Sequence, residues 1–450
     1  MAEPTDAEPT DDLVVEAALA DLARVDADMA AAARAGLDSL TCGEGLTAVT
    51  GHGLADFLWY QLPTKWMCDL DEKQQVAAAL GDLFHRLGRT WYADMCASSA
   101  TADILATYEH VGGSAGFRAY RSALSATGLQ PPDIPGAIEW GSVMGSDEAG
   151  AYASASLALE HAIDNGELRP GRPGWRKAAE QTTRAFLESP RDDLTGSTWL
   201  QWVHTERLQN WAEGRGTERQ RLAAAIANQL IHSVAAPDTA AEHLAPLQWL
   251  LDHAATGAAL TQTGTLARPI VAEGCRRFDW LTLTENPRTE SDIVELWTLR
   301  ELAKQMGVVR RSGRKLLLTT TGKAVHAGSA PALWQATMSN LLGSDHAEST
   351  AGEVALLLLL SGQDYDYRAL DNAVAYALVD QGWHDQHTGQ QITPDQTGTL
   401  LGGLRRRFSL LHLATARHFD EPLQLNDAGR LAAHAALRAR ALRPRAYPHL

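Results

Sequence analysis

With 450 residues, the chain is too long for one ordinary core, and 45% hydrophobic against 21% charged residues excludes a wholly disordered or fibrous chain. A formal net charge of -16 excludes indiscriminate nucleic-acid binding over the whole surface. The four cysteines, Cys42, Cys68, Cys96 and Cys275, include no C-x-x-C pair, which excludes the usual thiolate zinc and dithiol redox patterns and suits buried thiols in a reducing compartment.

The first stretch, MAEPTDAEPTDD, is acidic, contains proline and lacks the basic-then-apolar order of a signal peptide. Residues 1–11 are expected to be a disordered arm. Leu13 to Ala35 has helical apolar spacing, with Gly36 as the expected C-cap. GLADFLWYQLPTKW, residues 53–66, gathers Phe57, Trp59, Tyr60 and Trp66, and Pro63 predicts a helix end followed by a packed turn. The acidic start Asp69-Leu70-Asp71-Glu72 then opens a helix running toward Gly88. Further helical patterns follow to Leu187, giving an N-terminal helical domain over 12–190. SPRDDLTGS, residues 189–197, is the best linker candidate in the first half, and a middle helical segment fills 191–258.

Strand signals first become credible between Gly307 and Thr320. IVELWTLRELAKQMGVVRRSGRKLLLTTTGKAV, residues 293–325, reads as an amphipathic helix, two short strands joined by a basic turn, and the start of another helix. That is the outline of a winged-helix-like module, placed at 259–328. A looser copy is expected within 329–450. Leu299-Arg300 and Gly322-Lys323 have counterparts in Leu404-Arg405 and Gly429-Arg430, and the second wing is two residues longer. The expected fold class is therefore mainly α: a multi-helical N-terminal domain followed by two winged-helix-like modules with short β-hairpins. The most apolar run, Val354 to Leu360, falls far short of the ~20 residues that span a bilayer. A cytoplasmic protein without a membrane partner is expected.

The module sequences, with the tail LNDAGRLAAHAALRARALRPR and the phrases FLWYQLPTKW, DLDEKQQVAAALGDLF and EWGSVMG, resemble a group of uncharacterised actinobacterial proteins. Some of that group are similar to plasmid-borne or transposon passenger proteins. The resemblance spans most of 45–450; it implies a helical protein with winged-helix-like ends, and brings neither an activity nor catalytic residues.

Charge is segregated along the chain. Residues 299–329 hold seven lysines and arginines against one carboxylate, and residues 404–450 hold nine arginines against three. Such clusters on an acidic chain predict a local polyanion site. The candidate nucleic-acid-binding residues are Arg300, Lys304, Arg310, Arg311, Arg314, Lys315, Arg405, Arg406 and Arg407, as wing cations on the phosphates of double-stranded DNA. Against this, the helix expected to read the groove opens Thr289-Glu290-Ser291-Asp292, an acidic turn that opposes phosphate approach. The leading expectation is a DNA-associated or regulatory protein. Its alternative is a protein-interaction scaffold, contacting a protein partner or another copy of itself without nucleic acid, and an enzyme ranks third.

Other motifs favour structural readings. Gly112-Gly113-Ser114-Ala115-Gly116 fits G-x-S-x-G, yet what precedes it reads as a helix end, whereas a nucleophile elbow needs a strand. His384-Asp385-Gln386-His387 lacks a third ligand at helical spacing. Thr319-Thr320-Thr321-Gly322-Lys323 lacks the first glycine of a phosphate-binding loop. No metal, cofactor or catalytic residue is expected.

Overall fold

A computed structural model supplies the architecture; it describes residues 11–280, 289–415 and 422–445. The expected arm lies outside them up to Thr10. The protein is mainly α-helical with short β pairings. Among the described residues no helix is long and apolar enough to cross a membrane. The chain divides into two compact units, one of residues 1–203 and 444–450, the other of residues 204–443.

In the first unit the opening helix is two helices, Asp11–Val25 and Ala27–Thr41. Asp26 interrupts them: its backbone is extended at φ -151°, and its carboxylate caps the second helix by accepting from Asp28 and Met29 N–H at 3.0 Å each. Gly36 is therefore no cap. It lies inside Ala27–Thr41, where a Cβ would stand 2.9 Å from Leu80 Cδ1 of the helix Leu70–Arg86. That helix opens with a capping box, Asp69 accepting from Glu72 N–H and Glu72 reaching back to Asp69 N–H.

Around Pro63 the expected helix end is instead a widened helical turn. Helical backbone runs Gly51–Asp56, Phe57–Gln61 in π geometry, then Leu62–Lys65. A proline within a helix clashes with the carbonyl four residues earlier and cannot donate to it. The extra residue of a π turn changes that spacing, and Leu62 N–H bonds to Phe57 O. Phe57, Leu58 and Trp59 are thereby buried with Leu80 and Phe84, and Trp59 Nε1 donates to Thr101 Oγ1 at 2.7 Å. Ser114 sits in the first turn of the helix Gly113–Thr127, after the helix Ser99–His110 rather than a strand.

The second unit has its own core, from Leu208 to Ala441. At its centre the helix His346–Leu360 is buried along most of its length, which accounts for the Leu356–Leu359 run. A three-stranded antiparallel sheet of β1 (Ala258–Ala259), β2 (Val309–Ser312) and β3 (Lys315–Leu318) has the order β1-β3-β2. The two-residue loop Gly313-Arg314 joins β2 to β3, with Gly313 at φ 59°, a conformation that favours glycine at the first loop position. β1, two alanines, carries no strand signal of its own.

One backbone arrangement occurs twice in this unit. After the helix Val294–Gln305, Gly307 turns left-handed at φ 64° and Val308 O accepts from Thr319 N–H at 3.0 Å. Thr319 Oγ1 accepts from Gly322 N–H at 2.9 Å and donates to Gly307 O at 2.6 Å. After the helix Pro394–Leu410, His412 turns left-handed at φ 50° and Leu413 O accepts from Asn426 N–H at 3.3 Å. The Asn426 side chain accepts from Gly429 N–H at 2.8 Å and donates to His412 O at 2.7 Å. The antiparallel bridges Tyr365↔Leu423 and Ala414↔Leu425 stand where β1 and β2 meet β3 in the first copy. Residues 416–421, where the sequence places the second wing, lie outside the described residues.

Candidate nucleic-acid interface

β3 turns Leu316 and Leu318 into the core, which fixes the hairpin to the unit by its apolar side. Its other residues are where the charge lies. Arg310, Arg311, Arg314 and Lys315 are all exposed, and none forms an ion pair with a described carboxylate. Arg311 Nε donates to Gly313 O at 3.1 Å, which ties that side chain to the loop it borders. Lys323, in the helix Thr320–His326 after the hairpin, is exposed as well. Four cations within six residues of a tight hairpin give a compact positive surface suited to successive phosphates.

The other candidate cations face elsewhere. Arg300 is largely buried, its Nε 2.7 Å from Glu290 Oε1 and its Nη1 donating to Gly264 O at 2.6 Å. Burial pushes the Glu290 carboxyl above its usual range, while the Leu266 N–H donated to it at 2.9 Å and the Arg300 charge pull the other way. Lys304 is exposed and pairs with Glu301 one turn away at 2.7 Å. Arg405 reaches Asp371 Oδ1 at 2.5 Å and lies over the Tyr367 ring at 4.7 Å. Arg406 lies over the Trp297 ring at 5.2 Å. Arg407, 5% exposed, donates to Leu341 O at 3.0 Å and Gln305 Oε1 at 2.9 Å, and burial lowers its guanidinium pKa.

These contacts reveal what linear spacing concealed: Val294–Gln305 and Pro394–Leu410, the corresponding helices of the two copies, pack on each other. The Trp297–Arg406 contact lies on the side of Val294–Gln305 away from buried Leu299, and the Gln305–Arg407 contact lies at its C-terminal end. The one available signal was Trp297 on the polar face of an otherwise regular amphipathic helix. Its acidic opening is spent locally, with Thr289 and Asp292 forming a capping box and Glu290 meeting Arg300.

The His384–His387 segment is a turn: Asp385 Oδ1 accepts from the N–H groups of His387 and Thr388, and His384 Nδ1 lies 2.8 Å from Gly382 O.

A family described as Y4jL N-terminal domain matches residues 244–331. This segment begins at the cap of the helix Ala245–Thr256 and ends as the helix Ala330–Met338 begins, so it contains the whole β1-β3-β2 sheet and its cationic hairpin. No curated protein and no solved structure matches the chain.

Proposed function

We propose that residues 204–443 carry two winged-helix modules, and that the first associates with double-stranded DNA by laying its hairpin along the phosphates. The observation that carries this reading is the exposure of Arg310, Arg311, Arg314 and Lys315 with no carboxylate partner among the described residues. Strand order and the helix before the hairpin support the winged-helix assignment. Because Val294–Gln305 is engaged with Pro394–Leu410, contact runs through the hairpin rather than through a helix in the major groove. Phosphate contact alone reads little sequence, so affinity is governed by salt more than by operator.

A protein-interaction scaffold is the second reading, favoured by the commitment of Arg300, Arg405 and Arg407 to internal partners. Fluorescence anisotropy with random duplex DNA at several salt concentrations separates the two. For DNA association, affinity falls steeply with salt, and Arg310→Ala with Arg311→Ala reduces the slope of log K against log salt by about 1.8, at ~0.9 for each phosphate no longer neutralised. Absence of binding at low salt would leave the scaffold.

A further inference from the structure

The second unit holds a cavity of about 650 Å³, within the range of small-molecule sites, beside the carboxylate of Glu353. Glu353 is 3% exposed. It accepts from Arg219 Nε at 2.8 Å, Arg440 Nε at 3.1 Å and Trp211 Nε1 at 3.1 Å, and these bonds fix two cationic groups and an indole as cavity walls. Two guanidiniums share one carboxylate, and Arg215 adds a third cation at the exposed rim. Among the described residues, Glu353 is the one carboxylate lining the cavity.

A structural ion pair needs one cation per carboxylate, and an uncompensated guanidinium away from water is unfavourable. Here Arg219 is 5% exposed, and its Nη1 has no hydrogen-bond partner among the described residues. Gly214, also in the wall, packs close over that edge, since a Cβ there would stand 2.8 Å from Nη1. Arg440 Nη2 lies 3.4 Å from Thr350 Oγ1, a long contact that leaves donor capacity. Trp383, packed on His346 with ring centroids 5.2 Å apart, presents a flat apolar wall.

We propose that this cavity binds a small organic anion: a phosphate monoester or carboxylate head held by Arg440, with Arg219 and Arg215 adding positive charge, joined to a flat ring that packs against Trp383. Planar guanidinium forks hold both kinds of head group through paired N–H donors. The site is separate from the hairpin and does not depend on DNA association.

Isothermal titration calorimetry on the full chain in phosphate-free buffer tests it with adenosine 5′-monophosphate, benzoate, adenosine and inorganic phosphate. At least one ring-bearing anion is expected to bind more tightly than both adenosine and inorganic phosphate. A preference for the monophosphate assigns a phosphate head, and one for benzoate a carboxylate. Arg440→Gln, which leaves Glu353 paired with Arg219, is expected to weaken binding at least tenfold while keeping the wild-type circular dichroism. Arg215→Glu, on the exposed rim, is expected to weaken it severalfold with an unchanged melting temperature. No heat with either anion, adenosine binding as tightly as both anions, or both variants binding like wild type would overturn the assignment.

Discussion

Gly322 and Gly429 each lie against a carbonyl oxygen, and a methyl group on either would stand 1.9 Å from it, Val308 O in one case and Leu413 O in the other. Those carbonyls belong to backbone held by hydrogen bonds on both sides, so neither site relaxes cheaply. Gly322→Ala and Gly429→Ala should each cost at least ~2 kcal/mol in urea denaturation. His52 offers a test by pH. Burial holds its imidazole below the ordinary range against the opposing pull of Asp56 and Glu160, and its Nδ1 has no hydrogen-bond partner among the described residues. The unfolded chain therefore takes up this proton more readily, and stability present above the ordinary histidine pKa is lost as pH falls toward the folded value. His52→Gln should lose less of its urea midpoint between pH 7.5 and 5.5 than wild type does. Sequence identified the arginines but not their direction: Arg300 and Arg310 look alike in a charge count, yet one meets Glu290 and the other meets solvent. Only the fold brings Asp371 to Arg405, 34 residues away in sequence.

At the scale of single elements, Thr319 and Asn426 perform the same two tasks, capping the next helix and holding the left-handed residue that ends the preceding one. The geometry requires one acceptor and one donor on a short side chain, which both residues supply. Thr319→Asn should then stay within ~0.5 kcal/mol of wild type, whereas Thr319→Ala, which loses both bonds, should cost about 1–2 kcal/mol by chemical denaturation. The helices and β2-β3 were legible because their signals are local: apolar spacing, acidic first turns and a glycine-bearing loop. The break at Asp26 and the interior place of Gly36 escape the sequence because a cap and a close helix contact depend on backbone and neighbours, the latter on Leu80 far along the chain. β1 was illegible for the same reason, existing only through its pairing with Leu316 and Lys315.

Across the whole molecule, charge divides by unit. Residues 204–443 hold 24 lysines and arginines against 25 carboxylates, while the remainder holds 15 against 30. Nearly all of the net charge of -16 therefore belongs to the first unit. Segregation along the sequence was visible beforehand; its match to a nearly neutral compact unit follows from the fold. Each unit buries cores of its own, so residues 204–443 expressed alone should be helical by circular dichroism and melt cooperatively. An aggregated or unstructured fragment would contradict this. In both copies the segment after the left-handed residue is fastened at its root, by Val308 with Thr319 and by Leu413 with Asn426, and in the first Leu260 N–H also donates to Arg314 O at 2.9 Å. Gly313 has open space beside it, so a peptide epitope spliced between Gly313 and Arg314 would extend outward while the root stays fastened, making the turn a practical handle for tethering the molecule to a surface.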